Sequence, residues 1–161
     1  MSRVPQRWFY GAAYGRLIHG LIDRRPGDLR DLSPGERYLG TFIVPRFQRG
    51  LVWTEQQKAR LIESIYMGLP IGSIVWNQTT HSNPCDSWLL DGQQRMSAIV
   101  GYMEGEFSVR GLRFTELHKD EQSHFLRIGV PFIETNIAQE DQCRDIYDRL
   151  VYGGTSHEPV P

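Results

Sequence analysis

The chain has 161 residues, 40% of them hydrophobic and 23% charged, a balance that supports one ordinary core and excludes a disordered chain. Its formal net charge is -1, so no global basic field draws it to nucleic acid, and such a role would need a local patch. Cys85 and Cys143 lie far apart with no C-x-x-C pair, which argues against a disulfide framework or a zinc ribbon.

The N-terminal stretch MSRVPQRWFYGAAYGRLIHG has no apolar run long enough for a signal peptide or a membrane span. The expected location is the cytoplasm, with no membrane partner. Residues 1–37 read as an Arg-rich extension. In it Tyr14, Leu17, Ile18 and Leu21 form a short helical stripe, ended by Arg24-Arg25-Pro26-Gly27, and Asp28–Glu36 reads as loop. A strand is expected over 39–44, stopped by Pro45, followed by the loop Arg46–Trp53. Thr54 and Gln57 then form a T-x-x-Q capping box for a helix with Leu61, Ile62, Ile65 and Leu69 on its apolar face, which Gly68 and Pro70 stop.

Strands are expected over 73–77 and 87–90, with a polar loop Thr79–Asp86 between them. A second helix follows, with Met96, Ile99, Val100 and Met103 at i, i+3, i+4 and i+7 and Gly105 at its end. Phe107–Arg110 and Leu112–Phe114 read as a hairpin about Gly111. A charged helix Glu116–Arg127 and a strand over 128–134 come next. The last helix, Gln139–Val151, turns Cys143, Ile146, Tyr147 and Leu150 inward and is capped by Gly153-Gly154. Strands and helices mixed in this order predict an α+β or α/β fold around a small mixed sheet.

Chemistry concentrates at Asp91-Gly92-Gln93-Gln94-Arg95. A strand delivers Asp91, Gly92 allows a tight turn, and a helix opens at once. Its first amides lack intrahelical acceptors and carry the positive end of the helix dipole, a ready site for phosphate. Arg95 in that first turn opposes the dipole at a cost on the order of 0.3–1 kcal/mol, which a bound anion would reverse. The same segment also has a purely structural reading. Asp91 is a good N-cap, D-x-x-Q is a reasonable capping box, and Arg95 can reach to solvent. The loop PRFQRGLVW, residues 45–53, adds Arg46, Gln48 and Arg49, with Phe47 and Trp53 expected to anchor it in the core.

PRFQRGLVW, LIESIYMGLPIG, LLDGQQRMSAI and GEF, with their spacing from Gly40 to about Phe107, together resemble the N-terminal domain of GmrSD-type restriction proteins, the DGQQR family within the ParB/sulfiredoxin-like superfamily. The resemblance implies a ParB/sulfiredoxin-like α+β domain over 38–155, a small mixed β-sheet with flanking helices, and a tail over 156–161. It implies a nucleoside triphosphate as ligand, bound with Mg²⁺ and hydrolysed, in or against a DNA restriction or phage-defence system. Asp91, Gln94 and Arg95 would be catalytic, with Asp91 as metal ligand or water-orienting carboxylate. Gly92 and Gln93 would bind phosphate with them, and Arg46, Gln48 and Arg49 would close the site from the facing loop. DNA, a nuclease partner protein and a second copy of the chain are the macromolecular partners it suggests. IYDRLVYGG, residues 146–154, resembles the family's F-x-R-L-N-x-G-G element, but Val151 stands where the Asn would be.

No G-x-x-x-x-G-K-[ST] occurs, so a P-loop is excluded. Neither Lys58 nor Lys119 lies in a nuclease pattern, and the five histidines lack metal-ligand spacing. The isolated chain is therefore not expected to cleave DNA. Beside the NTP-hydrolysing reading stand two others: a non-catalytic module that binds DNA or nucleotide, and a regulator or decoy that titrates a relative's partner.

Overall fold

The computed structural model describes residues 4–23 and 27–152. Its elements are β1 (Ala12–Leu17), α1 (His19–Ile22), β2 (Arg37–Leu39), β3 (Phe42–Val44), α2 (Glu55–Tyr66), β4 (Ile74–Asn77), β5 (Leu89–Asp91), α3 (Gln93–Met103), α4 (Lys119–Leu126), β6 (Gly129–Thr135) and α5 (Glu140–Tyr152). A 3₁₀ turn at Phe114–Glu116 precedes α4. The main sheet runs β1-β6-β4-β5, with β2 and β3 as a separate two-stranded ribbon. β6 pairs antiparallel with β1 and parallel with β4, while β4 and β5 are antiparallel. This is an α+β fold with a small mixed sheet, as expected.

Most helices lie where the hydrophobic periodicity puts them. Thr54 accepts a hydrogen bond from the Gln57 amide, and the Gln57 side chain accepts one from Thr54 N–H. That reciprocal pairing satisfies two amides of α2 that have no intrahelical acceptor. α2 buries Leu61, Ile62 and Ile65. Leu69 lies beyond its end and is exposed, because Gly68 adopts φ 71° and turns the chain away. On α3, Met96 and Ile99 are fully buried in the main core with Phe42, Phe125 and Phe132.

Three expectations are corrected. The stripe from Tyr14 to Leu21 is not one helix. Ala12–Leu17 is a strand paired with β6 from Ala12↔Glu134 to Leu17↔Gly129, and only the four residues of α1 are helical. Tyr14 stays on the outer side, where its hydroxyl accepts from the Trp76 indole at 2.8 Å and donates to Glu134 at 3.1 Å. The strand expected over 39–44 is instead the β2–β3 ribbon, folded at Gly40 and Thr41. Leu150 on α5 is exposed, while Cys143, Ile146 and Tyr147 are buried. The expected Gly153-Gly154 cap, the 156–161 tail and the Arg24–Pro26 end of the N-terminal stripe lie outside the described residues. Among the described residues no helix is long and apolar enough to cross a membrane.

Two buried polar ties join the layers. The Arg30 guanidinium clamps Glu36 at 2.7 Å, and Glu36 also accepts from the Ser33 amide and the Trp88 indole. Burial alone would push the Glu36 carboxyl up, but these three donors outweigh it and hold the pKa below the usual carboxylate range. At the end of β4, the buried Asn77 amide donates to Cys85 O (2.9 Å) and Ile137 O (2.8 Å) and accepts from Ile137 N–H (2.7 Å). It thereby fixes the segment that leads into α5. Replacing Asn77 with Ala leaves three buried groups unpaired, and we expect a loss of about 2–4 kcal/mol in urea unfolding. A loss under about 0.5 kcal/mol would show that these groups find other partners.

Candidate functional site

β5 ends at Asp91 and α3 begins at Gln93, so the whole turn is Gly92. Its φ is 101°, and a Cβ there would stand 2.9 Å from Ile74 Cγ1, so both conformation and space call for glycine. Gly92, not Asp91, is the N-cap residue of α3, and no side chain caps it. The first helical bond is Met96 N–H to Gly92 O at 2.8 Å. The amides of Gln93, Gln94 and Arg95 therefore have no acceptor within the helix.

A cavity of about 180 Å³ opens at this helix end, lined by Gln48, Arg49, Trp53, Asp91, Gly92, Gln93, Gln94, Arg95, Tyr147 and Val151. Seven of the eight residues singled out in the sequence thus share one space. Arg46 is the exception: it points to the first turn of α5 and pairs with Glu140 at 2.6 Å.

Within the group several side chains already have partners in the protein. Arg95 donates to Asp91 Oδ2 at 2.8 Å and to the carbonyls of Ile71 (2.9 Å) and Ser73 (3.1 Å). Its charge does not oppose the dipole alone, because the Asp91 carboxylate sits beside it at the same helix end. Gly72 admits this contact: a Cβ there would stand 2.9 Å from Arg95 Nη1. Gln94 holds the facing loop. Its Oε1 accepts from Val52 N–H and Trp53 N–H, both at 3.2 Å, and its Nε2 donates to Gly50 O at 3.2 Å. Phe47 anchors that loop from the other end, packed edge-on to Trp88 (5.5 Å, 84°) and tilted against Tyr147 (5.6 Å).

Gln48, Arg49 and Gln93 also line the cavity. Gln48 donates to Leu89 O, but its Oε1 is buried with no partner, and so is Nε2 of Gln93. Native interiors pair nearly all such atoms, and these two lie buried behind the cavity wall. Among the described residues no carboxylate pairs with the Arg49 guanidinium. The Arg49 amide is held by the Tyr147 hydroxyl at 3.2 Å, and burial pushes that phenol's pKa up. Sequence reasoning missed Tyr147 and Trp53 as wall residues. Both read in the sequence as packing residues, and only the meeting of α5 with the loop shows their second face.

A Mg²⁺ ion is tested by the donor set. Asp91 offers Oδ1, since Oδ2 is taken by Arg95. Among the described residues no three His, Cys, Asp or Glu side chains are grouped to hold a metal on their own. One carboxylate suits Mg²⁺ where phosphate oxygens and waters complete the octahedron, so the residues fit the ion only together with a phosphate ligand.

The architecture and the pocket define a small α+β domain whose polar cavity lies where a glycine turn opens its central helix. The chain belongs to the GmrSD restriction endonuclease N-terminal domain family, whose model matches residues 29–157. This family sets the chain in the context of DNA restriction and phage defence. No curated protein and no solved structure gives a significant match.

The Arg95 geometry predicts its mutant. Arg95→Ala removes three hydrogen bonds and leaves the Asp91 carboxylate without its partner. We expect the ligand-free protein to lose about 1.5–3 kcal/mol in chemical denaturation. Unchanged or raised stability would show that the Arg95–Asp91 tie contributes nothing.

Proposed function

We propose that this cavity binds the phosphates of a nucleoside triphosphate, with Mg²⁺ held between them and Asp91, and that the chain hydrolyses that ligand in or against a restriction or phage-defence system. This reading carries with it the wider ParB/sulfiredoxin-like kinship. The observation that supports it best is the meeting of two kinds of unsatisfied donor at one cavity: the free amides of α3 and the unpaired Arg49 guanidinium. Amides and guanidinium are donors suited to phosphate oxygens.

Charge explains why a divalent ion belongs to the proposal. Asp91 and Arg95 cancel, so Arg49 and the helix dipole, worth roughly half a charge, are left to face several negative charges on a triphosphate. Mg²⁺ makes up the difference. When bound, it would polarise the phosphoryl group and help neutralise charge as the bond to the leaving phosphate breaks. This chain's own part is positional. Gln94 holds the loop that carries Arg49, the α3 amides and Arg49 orient the phosphates, and Asp91 holds the metal.

Size sets the specificity. A volume of about 180 Å³ lies below the roughly 300–1,000 Å³ of sites that enclose a drug-sized ligand. The cavity can enclose phosphoryl groups but not a whole nucleotide, so the base stays outside. We therefore expect ATP, GTP, CTP and UTP, each with Mg²⁺, to raise the melting temperature by similar amounts. At about 100 times the dissociation constant the gain is roughly 2.7 kcal/mol, or about 5–11 °C for a chain of this size. Arg49→Ala, an exposed and unpaired position, should abolish most of that shift and leave the ligand-free melting point within about 1 °C. Absence of any shift with millimolar triphosphates and Mg²⁺ would sink the proposal.

A second reading, a binding module without turnover, draws on two specific features. Asp91 is already engaged by Arg95, and the aliphatic Val151 lines the cavity where the family pattern has a polar Asn. Phosphate release measured beside the melting shift separates the two: binding without release favours the module.

A further inference from the structure

A second cavity, of about 550 Å³, lies between α2, α4 and the turn at Arg110-Gly111, and it shares no lining residue with the first. Its volume is that of a small-molecule site. The turn that forms one wall has positive φ at both Arg110 (51°) and Gly111 (83°) and is closed by the Val109–Leu112 bridge. These are the dihedral signs of a tight two-residue hairpin.

Three properties of the lining select a ligand. The first is an aromatic wall: the half-buried Tyr66 stands edge-on to the buried Tyr102 (centroids 6.4 Å, 87°), and His124 stacks on Tyr66 (6.5 Å, 22°). The second is apolar wall that remains open to solvent, since Met67 and Leu112 are 58% and 50% exposed. The third is charge. Glu63, Asp120 and Glu121 line the space against the single cation Arg110, and Arg110 is already paired with Glu63 at 3.0 Å. Among the described residues Asp120 has no cationic partner. The Tyr66 and Tyr102 hydroxyls lie 3.4 Å apart and share one hydrogen bond, so the pair keeps a spare donor and spare lone pairs.

An anion would meet the carboxylates, and a neutral apolar molecule would fill the walls but leave the negative rim unanswered. A cation with an aromatic body gains from the carboxylate field at the rim and from burial of its ring against the apolar wall. We propose that this cavity binds a small organic cation with an aromatic body, of the arylalkylammonium class.

The test is calorimetric titration of the full chain with phenethylammonium, phenethyl alcohol and hydrocinnamate, which share a ring and differ in charge. The ammonium should bind at least about tenfold more tightly than the alcohol, and the carboxylate should not bind measurably. Asp120→Asn, at an exposed position, should weaken the ammonium by roughly fivefold, the worth of one solvent-screened charge pair, without changing the alcohol. Equal binding of all three, or of none at millimolar concentration, would overturn the proposal. So would an ammonium affinity that ignores Asp120→Asn and the salt concentration. A short Phe-Arg peptide binding far more tightly than the free amine would also overturn it, by showing that the groove takes a polypeptide segment. Arg49→Ala serves as a control that leaves this site intact, so failure here is distinct from failure of the triphosphate reading.

Discussion

The guanidinium of Arg95 is the point on which the rest of the pocket depends. It reaches back from the first turn of α3 to the end of β5 and to two carbonyls of the segment that enters β4. One planar, permanently charged group thus fixes the angle between helix and sheet, which several neutral contacts would set less strictly. Gly72 and Gly92 are consequences of the same arrangement: the first makes room for the guanidinium, and the second turns the chain so that α3 starts without delay. With the helix end held, Gln94 can reach three backbone groups of the facing loop, and Arg49 is displayed as a result.

How much of this was legible depends on the range of the interaction. Local signals read well. The Thr54/Gln57 box, the apolar stripe of α3 and the strand–glycine–helix turn are decided within a few residues, and they formed as expected. β1 was misread because its helical spacing straddles two elements. Ile18 and Leu21 are buried around α1, whereas Tyr14 and Leu17 belong to a strand and are exposed. The strand exists because β6 offers it a hydrogen-bonding edge, a tertiary cause that overrides local pattern. Leu150 was misjudged in the same way, since an apolar position at the end of a helix is buried only if something covers it.

The pocket shows the same division. Seven of the eight residues singled out meet at one cavity, but their partners could not be read from the chain. Arg46 was counted with Arg49, yet Glu140 on a distant helix draws it away. Arg95 reads in the sequence as a cation opposing the helix dipole, yet the acid four residues earlier reaches it once Gly92 has set the turn. Gln94 reads in the sequence as a ligand contact, and in the fold it meets three backbone groups of the facing loop. In each case the residue type was informative about chemistry and silent about which competing partner lies nearer.

The pairing of β1 with β6 also has a bearing on synthesis. Ala12 is matched to Glu134 and Leu17 to Gly129, so the sheet neighbour of the first strand is made more than a hundred residues later. Until then the hydrogen-bonding edge of β1 has no lasting partner, and Ile18 and Leu21 have only part of their core. Non-local strand pairing of this kind slows folding and leaves apolar surface open for longer. As the chain emerges from the ribosome, α2, β4, β5 and α3 are available to assemble first, while the N-terminal strand waits for β6 to arrive before it can zip onto the sheet.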